Sequence, residues 1–297
     1  MPYRRFQHRW WRHILLFLLT VATTTDVGTS YYLSFLSELG TRAVRLDWTM
    51  VRHGMIYSAA VLGILGAHEM GHYLACRYYN LDATLPFFLP FPLLSISGTL
   101  GAVIKIKEPF PTRKALFDIA VAGPLAGFAV LVPLLFYAVH RSTLVTGAPM
   151  PPGSINFGEP LLFQLMAWLK FGSVGDQWQL NLHPIGFAAW FGMLATAWNL
   201  LPFGQLDGGH LAYATLGDRS RVLSFATVAA SIGMCFVSKS WIVMTGMMLA
   251  MLYFFGPRHP PVMDEYEPLG RGRHAIAILA VVLFVLCFTP VPIDIVN

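Results

Sequence analysis

The sequence predicts an all-α polytopic membrane protein with about seven transmembrane helices and a short membrane-associated β-hairpin. Of its 297 residues, 56% are hydrophobic and only 12% are charged, and the mean hydropathy is +0.58. Soluble domains carry about twice this share of charged residues. The 20 prolines and 26 glycines follow no repeat, so the composition excludes disorder, collagen and coiled coils as well as a soluble enzyme.

Seven apolar stretches are spaced along the chain, and several lie near the lower length limit for crossing a bilayer. They cover residues 14–36, 55–79, 115–137, 185–201, 222–237, 241–255 and 274–290. The first stretch has a polar dip at 23–26 and follows a strongly basic start, which also fits a cleavable signal peptide. We therefore expect seven crossings, the first of which is either a span or a signal.

The basic residues predict the orientation of the chain. With seven crossings, most of the 20 Lys and Arg residues fall on the side of the N-terminus. Positive charge accumulates on the cytoplasmic side of membrane proteins, so the N-terminus is expected in the cytoplasm and the C-terminus outside. No organelle-targeting signal is evident, which favours a prokaryotic cell membrane. The basic residues form no block interleaved with aromatics, so nucleic acid is not expected as a partner.

We expect a single membrane domain, 1–297, in which two connections have structure of their own. The segment 82–112 contains PFFLPFPLL and then SISGTLGAVIKIK, whose alternation predicts a strand or hairpin packed against the helices. The outer loop 140–184 contains LLFQLMAWLKF, which is typical of a short helix at the membrane surface. A proline-containing cytoplasmic linker, 256–273, precedes an additional C-terminal helix at 274–290.

An HExxH motif lies within the second apolar stretch, in GAHEMGHYLACR. His68 and His72 are four residues apart, so on a helix both imidazoles point to one side and can share a metal ion. Glu69 is turned by about 100° from His68, where a carboxylate reaches a metal-bound water without binding the metal. Ionisable groups inside a membrane segment are costly, so a metal site explains them better than a chance match or two structural histidines.

A third metal ligand must come from elsewhere, because catalytic zinc usually has three protein ligands and an open position. The fourth stretch ends in WNLLPFGQLDGGH, on the same side of the membrane as the end of the second stretch. Alone, LDGG is typical of a loop with a solvated Asp. Together with the HExxH motif, Pro202 and the glycine pair predict a broken helix that turns the Asp207 carboxylate into the bundle. His210 could also be a ligand, although a structural role suits it better.

The three cysteines have no CxxC spacing, which argues against a disulfide framework and against a thiolate metal site. The metal donors expected here are therefore histidine and carboxylate. Such a set suits zinc, and iron and cobalt accept it as well.

The pairing of HEMGH with NLLPFGQLDGG resembles the site-2 protease family of intramembrane zinc metalloproteases, peptidase family M50. The GPLAG segment at 123–127 and the strand-like segment before it are also similar to this family. The resemblance covers roughly 55–213, which is the expected catalytic core. The family's usual NPDG form is replaced here by a longer segment, and the PDZ and CBS domains of some branches are missing.

The resemblance implies that His68, His72 and Asp207 hold one Zn²⁺ while Glu69 activates its water. It implies transmembrane protein substrates in a lipid bilayer, cut in or near their spanning segments. Asn199 would hydrogen-bond the substrate backbone or the developing oxyanion. The sequence predicts no particular oligomeric state.

A helical substrate must unwind before its peptide bonds can be reached. The strand edge at Ala102, Val103 and Ile104 could pair with the unwound segment by strand addition, which replaces the lost helical hydrogen bonds. A hairpin that only packs against the bundle fits the pattern equally well.

Two other functions would use the same residues: metal-ion transport and a non-proteolytic metal-binding membrane scaffold. Transport gives no reason for Glu69 to stand next to His68, and it predicts polar residues along a path through the fifth to seventh stretches, which have few. A scaffold does not require every catalytic position to be filled. The sequence therefore favours the protease.

Overall fold

The computed structural model describes residues 9–40, 43–45, 47–92, 95–146, 153–175, 177–256 and 260–295, which are mostly helical. The α-helices found in these ranges are α1 Trp10–Leu36, α2 Trp48–Tyr78, α3 Arg113–Arg141, α4 Leu161–Phe171, α5 Pro184–Asn199, α6 Asp207–Leu216, α7 Ser220–Met234, α8 Ser240–Phe255 and α9 Arg271–Cys287. Six short strands accompany them, and they pair as three two-stranded sheets.

Three helices are long and apolar enough to cross a bilayer. Among the described residues these are α1, α2 and α3, with 27, 31 and 29 residues. Helix α2 begins where the Asp47 carboxylate accepts hydrogen bonds from the amides of Thr49 and Met50. Helix α3 begins where the Thr112 hydroxyl accepts from the amide of Ala115. The prediction of a largely helical membrane protein is confirmed to this extent.

The other four predicted spans are shorter helices. Helices α5, α7, α8 and α9 have 16, 15, 16 and 17 residues, whereas a straight crossing takes about 20. Each predicted apolar stretch coincides with a helix, but the count of seven crossings stays a prediction. The last helix, α9, is shifted from its predicted range, 274–290. It begins directly after Gly270, whose φ of 79° is not helical, and it ends at Cys287, before Pro290.

Helices α1 and α2 pack closely through small residues. A Cβ added at Gly28 would lie 2.6 Å from Tyr57 Cβ, and one at Gly54 would overlap the Thr29 hydroxyl. Across the same contact, Thr24 Oγ1 and Ser58 Oγ share a hydrogen bond of 2.6 Å. This crossing fixes the position of α2, which carries the HExxH motif.

The predicted hairpin is present between α2 and α3. Strand β1, Phe87–Pro90, pairs antiparallel with β2, Thr99–Val103, in a register that places Phe88 opposite Ala102. Its turn is held by three side-chain hydroxyls of α1 and α2, which donate to backbone carbonyls: Thr23 to Gly98 at 2.7 Å, Tyr31 to Ile96 at 2.5 Å and Tyr57 to Ser97 at 3.1 Å. The hairpin is thus anchored on the helix pair, and only β1 pairs with β2 among the described residues.

The outer loop contains the predicted short helix, α4, between small sheets. Strand β3, Thr143–Thr146, pairs with β5, Trp178–Asn181, and strand β4, Ile155–Phe157, pairs with β6, Ile293–Ile295. Lys170 of α4 donates to the carbonyls at the end of α3, those of Val139, His140 and Ser142, at 2.6–3.0 Å. These contacts attach the loop to the end of α3.

The turn between α5 and α6 matches the prediction of a broken helix. Helix α5 ends at Asn199 and α6 begins at Asp207. A Cβ at Gly208 would overlap the carbonyl oxygen of Leu200, and one at Gly209 would overlap that of Gly204. Only glycines allow this close return of the backbone, which places Asp207 at the start of α6 beside the end of α5.

Candidate metal centre

His68 and His72 occupy one face of α2, and both are 7% exposed. Their rings meet edge to face, and the two Nε2 atoms are 3.1 Å apart. The i and i+4 spacing on a straight helix accounts for this arrangement. Two nitrogens therefore point to a common position, as the sequence predicted.

Asp207 completes the group from the other side. Its Oδ2 lies 3.2 Å from His68 Nε2 and 3.3 Å from His72 Nε2. His72 Nδ1 lies 2.7 Å from the carbonyl oxygen of Ile119, so this nitrogen carries the proton and Nε2 presents a lone pair. Consequently the contact of 3.3 Å between His72 Nε2 and Asp207 Oδ2 is not a hydrogen bond, because neither atom carries a proton. Asp207 Oδ2 is a buried oxygen that has no hydrogen-bond donor. Two imidazole nitrogens and a carboxylate oxygen therefore converge where a cation would satisfy them.

The separations of these three atoms fit a zinc ion. In a tetrahedral site with bonds of about 2.0–2.1 Å, neighbouring ligand atoms are about 3.3 Å apart. The observed values of 3.1–3.3 Å agree with this figure. His68, His72 and Asp207 are the cluster of this kind found among the described residues, and a tetrahedral ion held by them would have one position left for water.

Two features that orient His72 were not predicted from the sequence. One is the Ile119 carbonyl, which fixes the tautomer of the ring. The other is Gly123, where an added Cβ would overlap the His72 imidazole. In the sequence, the GPLAG segment contributed only to the family resemblance. Its first glycine makes room for a metal-binding side chain, and no spacing rule connects that position with HExxH.

Glu69 and Asn199 lie at the edge of the cluster. Glu69 is 8% exposed and borders the same cavity as Ile104, just beyond β2. The Asn199 side-chain amide approaches His68 Nε2 at 3.3 Å. The structure therefore brings the predicted catalytic carboxylate, the predicted oxyanion residue and the end of the hairpin to one place.

Two cavities meet at this place. One, of about 240 Å³, is bordered by the three candidate ligands and by His210. The second, of about 470 Å³, lies between α2, the hairpin, α5 and α8. Five residues border both cavities: His68, Glu69, Ala102, Val103 and Asn199. Ile104 borders the first cavity, so each hairpin residue predicted to pair with substrate lies at the site.

A comparison with known protein families decides the classification. The model of peptidase family M50 matches residues 56–239. The chain belongs to peptidase family M50. This confirms the resemblance to the site-2 protease family, and the matched region includes the HExxH motif and Asp207.

Several relatives of this M50 protein are plant proteins. It is 27% identical over 298 residues to the probable zinc metalloprotease EGY1, chloroplastic, of Arabidopsis thaliana, covering 95% of this chain and 54% of the relative. It is 30% identical over 251 residues to the probable zinc metalloprotease EGY2, chloroplastic, of Oryza sativa subsp. indica, covering 82% and 44%. The chain spans about half the length of these relatives. No solved structure matches it.

The chloroplast names bear on the expected location. They give no support to a prokaryotic cell membrane, and the cytoplasmic position of the N-terminus stays a prediction. The membrane itself is supported by the three long apolar helices of this M50 chain.

Proposed function

We propose that this chain is a zinc metalloendopeptidase that hydrolyses peptide bonds in or near the transmembrane segments of other proteins. The observation that carries the proposal is the convergence of two imidazole nitrogens and a carboxylate oxygen at 3.1–3.3 Å, with Glu69 beside them on α2. Membership of family M50 and the names of the relatives support a zinc protease.

In this proposal His68, His72 and Asp207 hold the zinc ion. When bound, zinc lowers the pKa of a water and polarises a carbonyl group. Glu69 takes the proton of the attacking water on its carboxylate and passes it to the leaving amine. Glu69 borders both cavities, which places its carboxylate where a substrate could reach it. No covalent intermediate with the protein is required.

The hairpin and Asn199 position the substrate in this proposal. The free edge of β2 at Ala102 and Val103, with Ile104 beyond it, pairs with an unwound substrate segment and replaces its helical hydrogen bonds. Asn199, which borders both cavities, donates from its amide to the substrate carbonyl oxygen. A lipid-embedded substrate suits a site in the middle of helices that are themselves apolar.

Transport of a metal ion accounts less well for the same geometry. Glu69 is not one of the clustered ligands, yet it lies buried against the cavity. A carboxylate in this position is useful for proton transfer, whereas a transit site would use it as a ligand.

The experiment compares membrane-protein fragments, by mass spectrometry of terminal peptides, in cells that carry the wild type or Glu69→Gln. This change keeps the three ligands and removes the proton acceptor. Glu159→Gln, at an exposed position of the outer loop, is the matched control. We expect new termini within spanning segments that disappear only in Glu69→Gln. Identical fragments in all three strains, with zinc bound in each protein, would contradict the proposal.

A further inference from the structure

The two cavities at the site differ in size and lining, and β2 leads from one to the other. The 470 Å³ cavity is bordered by Thr99, Leu100 and Gly101, at the start of the strand. The 240 Å³ cavity is bordered by Ile104 and Ile106, which follow it. A peptide laid along this edge would therefore run from the larger cavity into the smaller one.

The border between the cavities marks the place of the reaction. Glu69, His68 and Asn199 belong to both linings. If the proposed function holds, the bond to be cut lies at this border. A peptide that runs along β2 from the larger cavity into the smaller one then has one of the two residues flanking the bond in the smaller cavity.

Beside the polar side chains that line the smaller cavity, among them Glu69, Asp207 and His210, the cavity has one apolar wall. It is formed by Phe110, Leu116, Ile119 and Ala120, of which the last three are buried side chains of α3. A cavity of about 150 Å³ lined by apolar groups is enough to hold benzene. The 240 Å³ here accommodates a side chain of that size together with the backbone that carries it.

We infer that these four residues form a specificity subsite for one bulky apolar side chain, such as Leu or Phe, next to the cleaved bond. This inference rests on the proposed function and adds a preference in sequence to it. The subsite favours such a side chain because its apolar area is removed from water against these four residues. It also disfavours Ala and Gly, which leave the wall without contacts.

The test uses purified full-length protein in lipid vesicles and a spanning segment whose cleavage depends on Glu69. The residues on each side of the cleaved bond are replaced in turn by Ala, Leu and Phe, and kcat/KM is measured. At one of the two positions we expect Leu and Phe to be favoured over Ala by about tenfold or more, the discrimination that an apolar pocket provides.

Two variants change the subsite in opposite directions. Ala120→Leu fills it and should reduce the preference for Phe over Ala by about tenfold. Phe110→Ala enlarges it and should favour the largest side chains. The matched controls are Ala129→Leu, on the exposed side of α3, and Phe136→Ala. Both should keep the wild-type order of preference among the substrate side chains.

The outcomes separate this inference from the proposed function. If the wild type cleaves in a Glu69-dependent manner but both variants keep its order of preference with zinc bound, the subsite is wrong and the protease stands. Absence of any Glu69-dependent cleavage overturns both. If Ala120→Leu loses zinc through its neighbour Ile119, the result of Phe110→Ala decides.

Discussion

His72 is oriented by two groups that do not touch the metal position. The Ile119 carbonyl accepts from Nδ1 at 2.7 Å, which leaves the Nε2 lone pair for a ligand. On the other face, the missing side chain of Gly123 gives the ring its space. Both groups belong to α3, so the packing of α3 on α2 sets the geometry of the site.

We predict that Gly123→Ala lowers zinc occupancy. The new Cβ would overlap the His72 ring, so the imidazole must turn away from Asp207 or the helices must separate. Loss of an orienting contact typically lowers metal affinity about 10–100-fold. Metal content per chain, measured by mass spectrometry on purified protein at limiting zinc, checks this.

Gly63→Ala is the control for this substitution, because a Cβ at Gly63 meets nothing within 4 Å. Gly63 lies in α2, where alanine is the better helix former. This variant should bind zinc as the wild type does. Equal zinc content in the two variants would show that the glycine at 123 serves packing only.

For individual residues of the site, the sequence was informative where a spacing rule applies. His68 and His72 could be predicted as a pair because the helical period dictates it. Asp207 required knowledge of which helix ends meet, and the broken-helix signal of Pro202 indicated it. Gly123 and Ile119 left no such signal, because a space and a backbone carbonyl are properties of the packed helices.

Helix α5 links the outer loop to the metal site. It begins after His183, beside Ser142 at the end of α3, and it ends at Asn199 beside His68. His183 Nδ1 accepts from the amide of Ile185, which caps the helix. Burial, and then the charges of Arg141 and His53, lower the pKa of His183 from 6.5 to about 4.

This capping predicts a loss of stability in mild acid. The folded protein favours neutral His183, so its contribution is complete above pH 6.5 and is lost as the pH falls from 6.5 toward 4. The full shift corresponds to about 3 kcal/mol of unfolding free energy at most. Thermal unfolding in detergent between pH 7 and pH 4.5 should show a smaller decrease for His183→Asn, which keeps a capping oxygen.

The exposed His140 supplies the comparison for this effect. His140→Asn should lose as much stability as the wild type over the same range. Loss of zinc in acid affects all three proteins alike, so only the differences between them report on His183. A decrease in His183→Asn equal to that of the wild type would contradict the prediction.

The elements were predicted with unequal success. Periodicity and apolar length indicated α1, α2 and α3, and alternation indicated the hairpin. Strands β4 and β6 were not predicted, because nearly half of the chain separates Ile155–Phe157 from its partner Ile293–Ile295. A strand of three residues is too short for an alternating pattern to be recognised in the sequence. The pairing follows instead from the position at which α9 ends.

The molecule has two polar ends, and at each end several contacts join the same segments of the chain. At one end the start of α3 meets 260–273: Lys114 pairs with Glu267 at 2.6 Å, and Asp118 accepts two hydrogen bonds from Arg273 at 2.8 and 2.6 Å. The amide of Met263 donates to the Phe110 carbonyl at 3.0 Å. The linker therefore packs on the connection between α2 and α3.

At the other end, the outer loop meets the segments that flank α8 and α9. Strand β4 pairs with β6, and the Gly158 amide donates to the Pro292 carbonyl at 3.0 Å. The Trp241 indole donates to the Pro290 carbonyl at 2.7 Å. Helix α9 thus runs alongside α3 from one polar end to the other. This arrangement supports crossings by helices that are shorter than a straight span.

The number of crossings can be tested with two exposed positions, Glu159 and Tyr266. With seven crossings, α5, α7 and α8 separate them and place them on opposite sides of the membrane. If only α1, α2 and α3 cross, both lie on the same side. We expect a membrane-impermeant maleimide, added to sealed cells, to label only one of Glu159→Cys and Tyr266→Cys, each in a chain whose native cysteines are replaced by alanine. Both should react after detergent is added. Equal labelling in sealed cells would contradict seven crossings, and the contacts of 260–273 with α3 would then have to form without α8 and α9 traversing the bilayer.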